Sequence, residues 1–256
     1  MRSNLILELA KRDFTERYAG SVLGVFWAFI WPLVMIAIYT LVFSRVMQAK
    51  LPGVSSAYSY SIYLISGLLP WTAFTNTITR ASTVFLDKRH LISKVSIPLP
   101  RLPLYVVISE TMTFLVSILF YLLFIVIAGT PLSLKLILIV PFVYAVQQIF
   151  AFSLGFLFAT LSVFLRDLRE LISIIMQLWF WFTPIVYVKD IMPELAQKLL
   201  MLNPALYFID AYHQIFFFDQ LPNFGQLIVL TIIGHLLLLM AYTFFKKLEK
   251  EVRDFL

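Results

Sequence analysis

The chain alternates between long uncharged apolar runs and short basic ones. Residues 22–43 carry no charge and are entered through Trp27 and Trp31; residues 59–79 are also uncharged, interrupted by Gly67 and Pro70. Residues 104–128 hold only Glu110, residues 136–165 hold no charge, residues 171–188 end in Trp179, Trp181 and Tyr187, and residues 227–245 have His235 as their one group titrating near neutral pH. A helix crossing a hydrocarbon core about 30 Å thick needs about 20 apolar residues. The pattern therefore predicts six membrane-spanning helices. Residues 195–218 are apolar too, but Asn203-Pro204, Asp210, His213 and Gln214 would break or charge a spanning helix. They are expected instead as two short helices meeting at Asn203-Pro204.

Two segments outside the spans are amphipathic. On a helix over residues 4–18, Ile6, Leu7, Ala10, Phe14 and Tyr18 share a face and Glu8, Lys11, Arg12 and Glu16 lie opposite. Such a helix lies at a membrane surface, with Arg17 intruding on the apolar side and snorkelling to the headgroups. Residues 84–97 predict a second helix, with Val84, Phe85, Leu91, Ile92 and Val95 on one side and Asp87, Lys88, Arg89 and Lys94 on the other. Docking on a partner protein and resting on lipid both fit it. Pro98, Pro100 and Pro103 end it.

Composition and charge sharpen this picture. Of 256 residues, 61% are hydrophobic and 13% charged, against about 25% charged in soluble domains. The net charge of +6 is distributed by side: counted over alternate loops, fifteen Lys and Arg fall on one side of the membrane and five on the other. The positive-inside rule then places both termini in the cytoplasm. The basic balance reports topology, and nucleic acid is not expected as a partner. The first apolar run is too long for a secretory leader and is expected to remain as the first span. The whole of residues 1–256 reads as one transmembrane domain: an interfacial helix (1–21), five spans with the cytoplasmic helix near 84–97 (22–188), an outer segment (189–226), and the sixth span with a cytoplasmic tail (227–256).

Several chemistries lack their residues. No cysteine, no phosphate-cradling G-x-x-x-x-G-K-[ST] and no H-E-x-x-H or G-x-S-x-G occurs, and His90, His213 and His235 lie in separate segments. No metal site is expected. The polar residues expected inside the bundle, Asn76, Gln147, Gln148, Gln177 and His235, do not make the acidic relay of an ion-driven carrier. Adjacent helical residues diverge by about 100°, so one of Gln147 and Gln148 is expected to face a lumen while the other packs. His235 is expected to bond a neighbouring helix. Any transport must then draw its energy from another subunit. Aromatics make up 16% of the chain. Near span ends they serve as belt anchors or as faces for sugar rings.

Arg17-Tyr18, Leu23-Gly24, Trp27, Trp31-Pro32, Phe164-Leu165-Arg166-Asp167-Leu168-Arg169, Phe182-Thr183-Pro184-Ile185-Val186-Tyr187 and Leu202-Asn203-Pro204 resemble the permease subunits of type 2 ABC exporters. The likeness is to the polysaccharide-export branch, which carries O-antigen, capsule and teichoic acid. It implies an all-α homodimer of six-span subunits in the bacterial inner membrane, paired with two copies of a separate ATPase that holds ATP and Mg. This chain would bind no cofactor and catalyse nothing. The resemblance implies a coupling helix seated on the ATPase, with Phe85, Asp87, Lys88, Arg89, His90 and Leu91 at the contact. It implies outer gate helices around Asn203, Pro204, Phe216 and Phe217. The cargo would be a polyprenyl-pyrophosphate-linked polysaccharide, threaded past Trp27, Trp31, Trp179, Trp181, Phe182 and Tyr187. Arg2, Lys11, Arg12 and Arg17 are candidates to meet its pyrophosphate, from charge alone. A lipid- or drug-exporting permease of the same superfamily is the alternative, and a membrane-embedded glycosyl- or acyltransferase, which needs a clustered acidic or histidine site, a more distant one.

Overall fold

Apolar runs of this length, without water to satisfy their backbone, form helices. The computed structural model describes residues 2–17, 26–46, 58–94, 97–130, 133–165, 167–189 and 192–256, and these residues contain helices and no strand. In chain order they are α1 (Arg2–Glu16), α2 (Trp27–Tyr39, continued by a π-helical stretch Thr40–Val46), α3 (Ser59–Ser82), α4 (Val84–Asp87), α5 (Arg89–Lys94), α6 (Leu104–Ile127), α7 (Leu134–Ile137), α8 (Val140–Ser162), α9 (Leu168–Trp181), α10 (Glu194–Leu200), α11 (Pro204–Phe216) and α12 (Phe224–Phe255). Among the described residues three helical stretches are long and apolar enough to cross a membrane: Leu99–Ile127, Val140–Ser162 and Phe224–Phe255.

The bundle is organised around α8, which packs along both α3 and α12. Close approach is what permits this. A Cβ added at Gly155 of α8 would lie 2.7 Å from the Cβ of Ala81 on α3, so only glycine fits there. Across the other face, the Ser153 hydroxyl donates to the Gly234 carbonyl of α12 at 3.0 Å. Small residues at crossings and hydroxyls bridging to backbone are how helices associate when lipid supplies no hydrophobic drive.

Helix α3 is the most enclosed element. Its Ser59, Ser61, Ser66 and Thr77 are buried, and its neighbours are α6, α8, α9 and α11. A helix surrounded by protein escapes the requirement for a lipid-compatible surface, which explains its polar content. By contrast, α6 exposes Leu115, Leu119 and Leu123, and α12 exposes Ile228, Ile232, Leu236 and Leu239, each at helical spacing on one face. Those stripes are suited to hydrocarbon.

Several expectations need correction. The helix over 84–97 is broken at Lys88 into α4 and α5: Lys88 leaves helical φ/ψ although its N–H still reaches the Val84 carbonyl, and residues 95–96, with Val95, lie outside the described residues. The thirty-residue run over 136–165 is divided by a turn at residues 138–139 between the end of α7 and the start of α8 at Val140, and α9 ends at Trp181 rather than continuing to 188. Gln147 and Gln148 do not divide between lumen and packing. The Gln147 amide donates to the Pro70 carbonyl at 2.7 Å, and Gln148 accepts from the Thr77 hydroxyl at 2.9 Å. The Pro70 carbonyl has a second lone pair to offer, and the two partners lie two turns apart on α3. His235 does not bridge helices: it is exposed and its Nδ1 lies 2.8 Å from the Thr231 carbonyl of its own helix.

Candidate substrate cleft and its charged floor

Helix α1 docks on α6 and brings Asp13 and Arg17 against the ends of two other helices. Arg80 sits in the last turn of α3 and Glu110 in the second turn of α6. The Arg80 guanidinium donates to both carboxylate oxygens of Asp13, at 2.6 and 2.7 Å, and to Glu110. Arg17 donates to Glu110 at 2.8 Å and to the Ser109 hydroxyl at 3.0 Å, and pairs with Asp13 at 3.4 Å. Asn76 completes the set by donating to Glu110 at 3.3 Å. Glu110 is 1% exposed. Burial alone would raise the Asp13 carboxyl, but hydrogen bonds from Arg80 and Ser109 and the two guanidinium charges hold it below the ordinary carboxylate value.

Arg17 therefore does not reach towards headgroups as expected. Carboxylates on two helices hold it instead, which removes the reason for snorkelling. Of the other basic candidates on α1, Lys11 pairs with Glu8 and Arg12 with Glu16 on the exposed face, and the Arg2 side chain lies outside the described residues. The cluster of Asp13, Arg80, Ser109 and Glu110 was not among the sequence candidates. Glu110, an acid inside an apolar run, was the signal that pointed to it.

Above this floor lies a cleft of about 490 Å³ between α2, α3 and α6. Arg17, Asn76 and Glu110 form its polar end, while Trp27, Trp31, Met35, Leu68, Leu69 and Phe114 form its walls. A second cavity, of about 520 Å³, lies beyond α9 and holds Trp179, Trp181, Phe182, Tyr187 and Asn203. The six aromatic candidates thus divide between two cavities. Trp179 is seated edge-on against Trp71 and Phe74, and its indole N–H donates to Asn203 Oδ1 at 2.7 Å.

Asn203 joins the two outer motifs. Its Oδ1 caps α11 by accepting from the Ala205 N–H at 3.0 Å, and its amide donates to the Phe182 carbonyl at 2.9 Å and the Thr183 hydroxyl at 3.0 Å. The expected break at Asn203-Pro204 is there, between α10 and α11. Phe216 is buried edge-on against Tyr121, and Phe217 packs edge-on to Tyr63.

At the other end of the molecule, Phe85 of α4 is fully buried against Phe156 of α8 and Phe245 of α12. Asp87 accepts from Thr83 at 2.7 Å and Lys88 lies 5.4 Å from the Tyr105 ring centre. Leu91 is half-buried against the same apolar cluster, whereas Arg89 and His90 are exposed. The pair α4–α5 thus presents charge outwards while Phe85 is locked into the bundle. Among the described residues, no three His, Asp or Glu side chains gather as metal ligands would. Tyr18, Leu23, Gly24 and Arg166 of the recognised motifs lie outside the described residues.

Residues 4–217 match the ABC-2 type transporter family. The chain belongs to that family. Over 253 residues it is 30% identical to an O-antigen export system permease protein RfbA of Klebsiella pneumoniae, covering 99% of this chain and 95% of the relative. It is also 30% identical over 252 residues to the protein of that name from Myxococcus xanthus, covering 98% of this chain and 94% of the relative. An ABC-2 permease is a transport component rather than an enzyme, and membership implies an ABC ATPase partner.

Proposed function

We propose that this ABC-2 permease is the membrane subunit of an ATP-driven exporter that moves polyprenyl-pyrophosphate-linked polysaccharide, of the O-antigen kind, across the bacterial inner membrane. In this reading α2 with its π-helical extension, α3, α6, α8, α9 and α12 are the six spans, and both termini are cytoplasmic. Two copies of the chain pair with two copies of the ATPase, which holds ATP and Mg. The charged faces of α4–α5 (Asp87, Lys88, Arg89, His90) meet the ATPase, and Phe85 and Leu91 pass its motion to α8 and α12. Helices α10 and α11 gate the outer mouth at Asn203, Pro204, Phe216 and Phe217.

The observation that carries this reading is the cleft beside α3, apolar and aromatic along its walls and charged at one end. That is the shape of an amphiphile with an ionic head. A permease for simple lipids would need this cleft alone. The second aromatic cavity, with Trp181 and Phe182 largely exposed in it, gives sugar rings surfaces to stack on and so favours a glycan cargo.

Replacing Trp31 and Trp181 together by alanine is expected to slow polysaccharide export in cells at least several-fold while membrane insertion and assembly with the ATPase persist. Trp31 is 60% exposed and Trp181 59%, so neither holds the fold together. Normal export by the double variant would contradict the glycan path.

A further inference from the structure

The ion-pair cluster stands between two cavities. The cleft of about 490 Å³ is bounded by Arg17 and Glu110. A separate polar cavity of about 560 Å³ on the α4 side is bounded by Asp13 and Arg80, together with Asp87, Lys88, Tyr105 and Arg169. Each arginine touches both carboxylates, so the four charges form a closed, electrically neutral partition. Lys88 and Arg169, which face the polar cavity, are in no ion pair among the described residues.

As mere glue this arrangement is uneconomical. Desolvating four charges costs about as much as their attraction returns, and apolar side chains would join the helices as stably. Two guanidinium forks held side by side, one opening on each cavity, are instead what a phosphate pair requires.

We propose that Arg17 and Arg80 are the receptor for the diphosphate of an isoprenoid-linked substrate, and that Asp13 and Glu110 fill that receptor until the substrate displaces them. This rests on the export reading above and names the residues that take the head of the cargo. The diphosphate is drawn into the polar cavity by Arg169. It exchanges with the two carboxylates on Arg80 and Arg17, and the isoprenoid lies in the apolar cleft along Met35, Leu68 and Leu69. Displacing Asp13 also frees α1 from the end of α3, so that occupancy of the site is felt next to the coupling helices.

The test uses the full permease–ATPase complex in lipid nanodiscs, with geranylgeranyl diphosphate as probe and geranylgeraniol as the uncharged control. The wild type is expected to prefer the diphosphate. Glu110→Gln should bind it about tenfold more tightly, the effect of one unit charge about 10 Å away at an effective dielectric of about 20. Arg17→Gln removes a guanidinium in direct contact with the diphosphate and should bind it at least tenfold more weakly. Asp13→Asn provides a second tightening variant if Glu110→Gln does not assemble. A purely structural cluster would lower the melting temperature in all variants and leave affinity unchanged or shift it in one direction throughout, which overturns the inference while the export reading stands. A wild type that binds the alcohol as well as the diphosphate overturns both.

Discussion

Asp13 shows how much one residue's setting decides. It lies on an interfacial helix, yet both of its carboxylate oxygens accept from one guanidinium nitrogen of Arg80, and one of them accepts from the Ser109 hydroxyl at 2.6 Å. Because its folded pKa lies below the ordinary carboxylate value, its contribution to α1 docking is complete above that value and is lost as pH falls through the folded one. Protection of the α1 amides from hydrogen exchange, corrected for intrinsic rates, should therefore be flat from pH 8 to pH 5 and decline below about pH 4. In Asp13→Asn the acid-dependent step attributable to this residue should vanish. This cluster was only partly legible beforehand. Glu110 was visible as an acid in an apolar run, but its partners are separated from it by 30 residues (Arg80) and by more than 90 (Asp13 and Arg17), and no local period links them.

Among the helices, the crossing of α3 and α8 sets the geometry of much else, since the cleft and α4 border α3, and Trp179 of the second cavity packs on Trp71 and Phe74 of α3. Gly155→Ala would put a methyl group 2.7 Å from Ala81 Cβ and is expected to cost about 1–3 kcal/mol by overpacking. Ala81→Gly in the same chain should recover most of that loss, read as the melting temperature of the detergent-solubilised complex. No recovery would mean that the crossing is not as close as described. The helices themselves were largely readable, because apolar run length and charge placement follow from the bilayer. Their ends were less so. Lys88 splits a continuous amphipathic pattern, and α9 stops at Trp181 because the Phe182-Thr183-Pro184 turn is held by Asn203, about twenty residues away. Likewise, Gln147 and Gln148 both find partners on α3, the Pro70 carbonyl and the Thr77 hydroxyl, which angular arithmetic on α8 alone does not reveal.

At the scale of the whole molecule, the chain is a scaffold of helices with cavities and a charged partition, and its family makes it a transport component. Phe85, buried between Phe156 and Phe245, ties the helices expected at the ATPase to the two most closely packed members of the bundle. Movement imposed at α4 must therefore move α8 and α12. The central claim is that the chain moves cargo only when a nucleotide-burning neighbour drives it. The direct measurement is translocation of lipid-linked polysaccharide in proteoliposomes that hold this chain with or without its ATPase. Transport is predicted only when the ATPase and ATP are both present, with none under a proton or sodium gradient; gradient-driven transport by this chain alone would contradict the account.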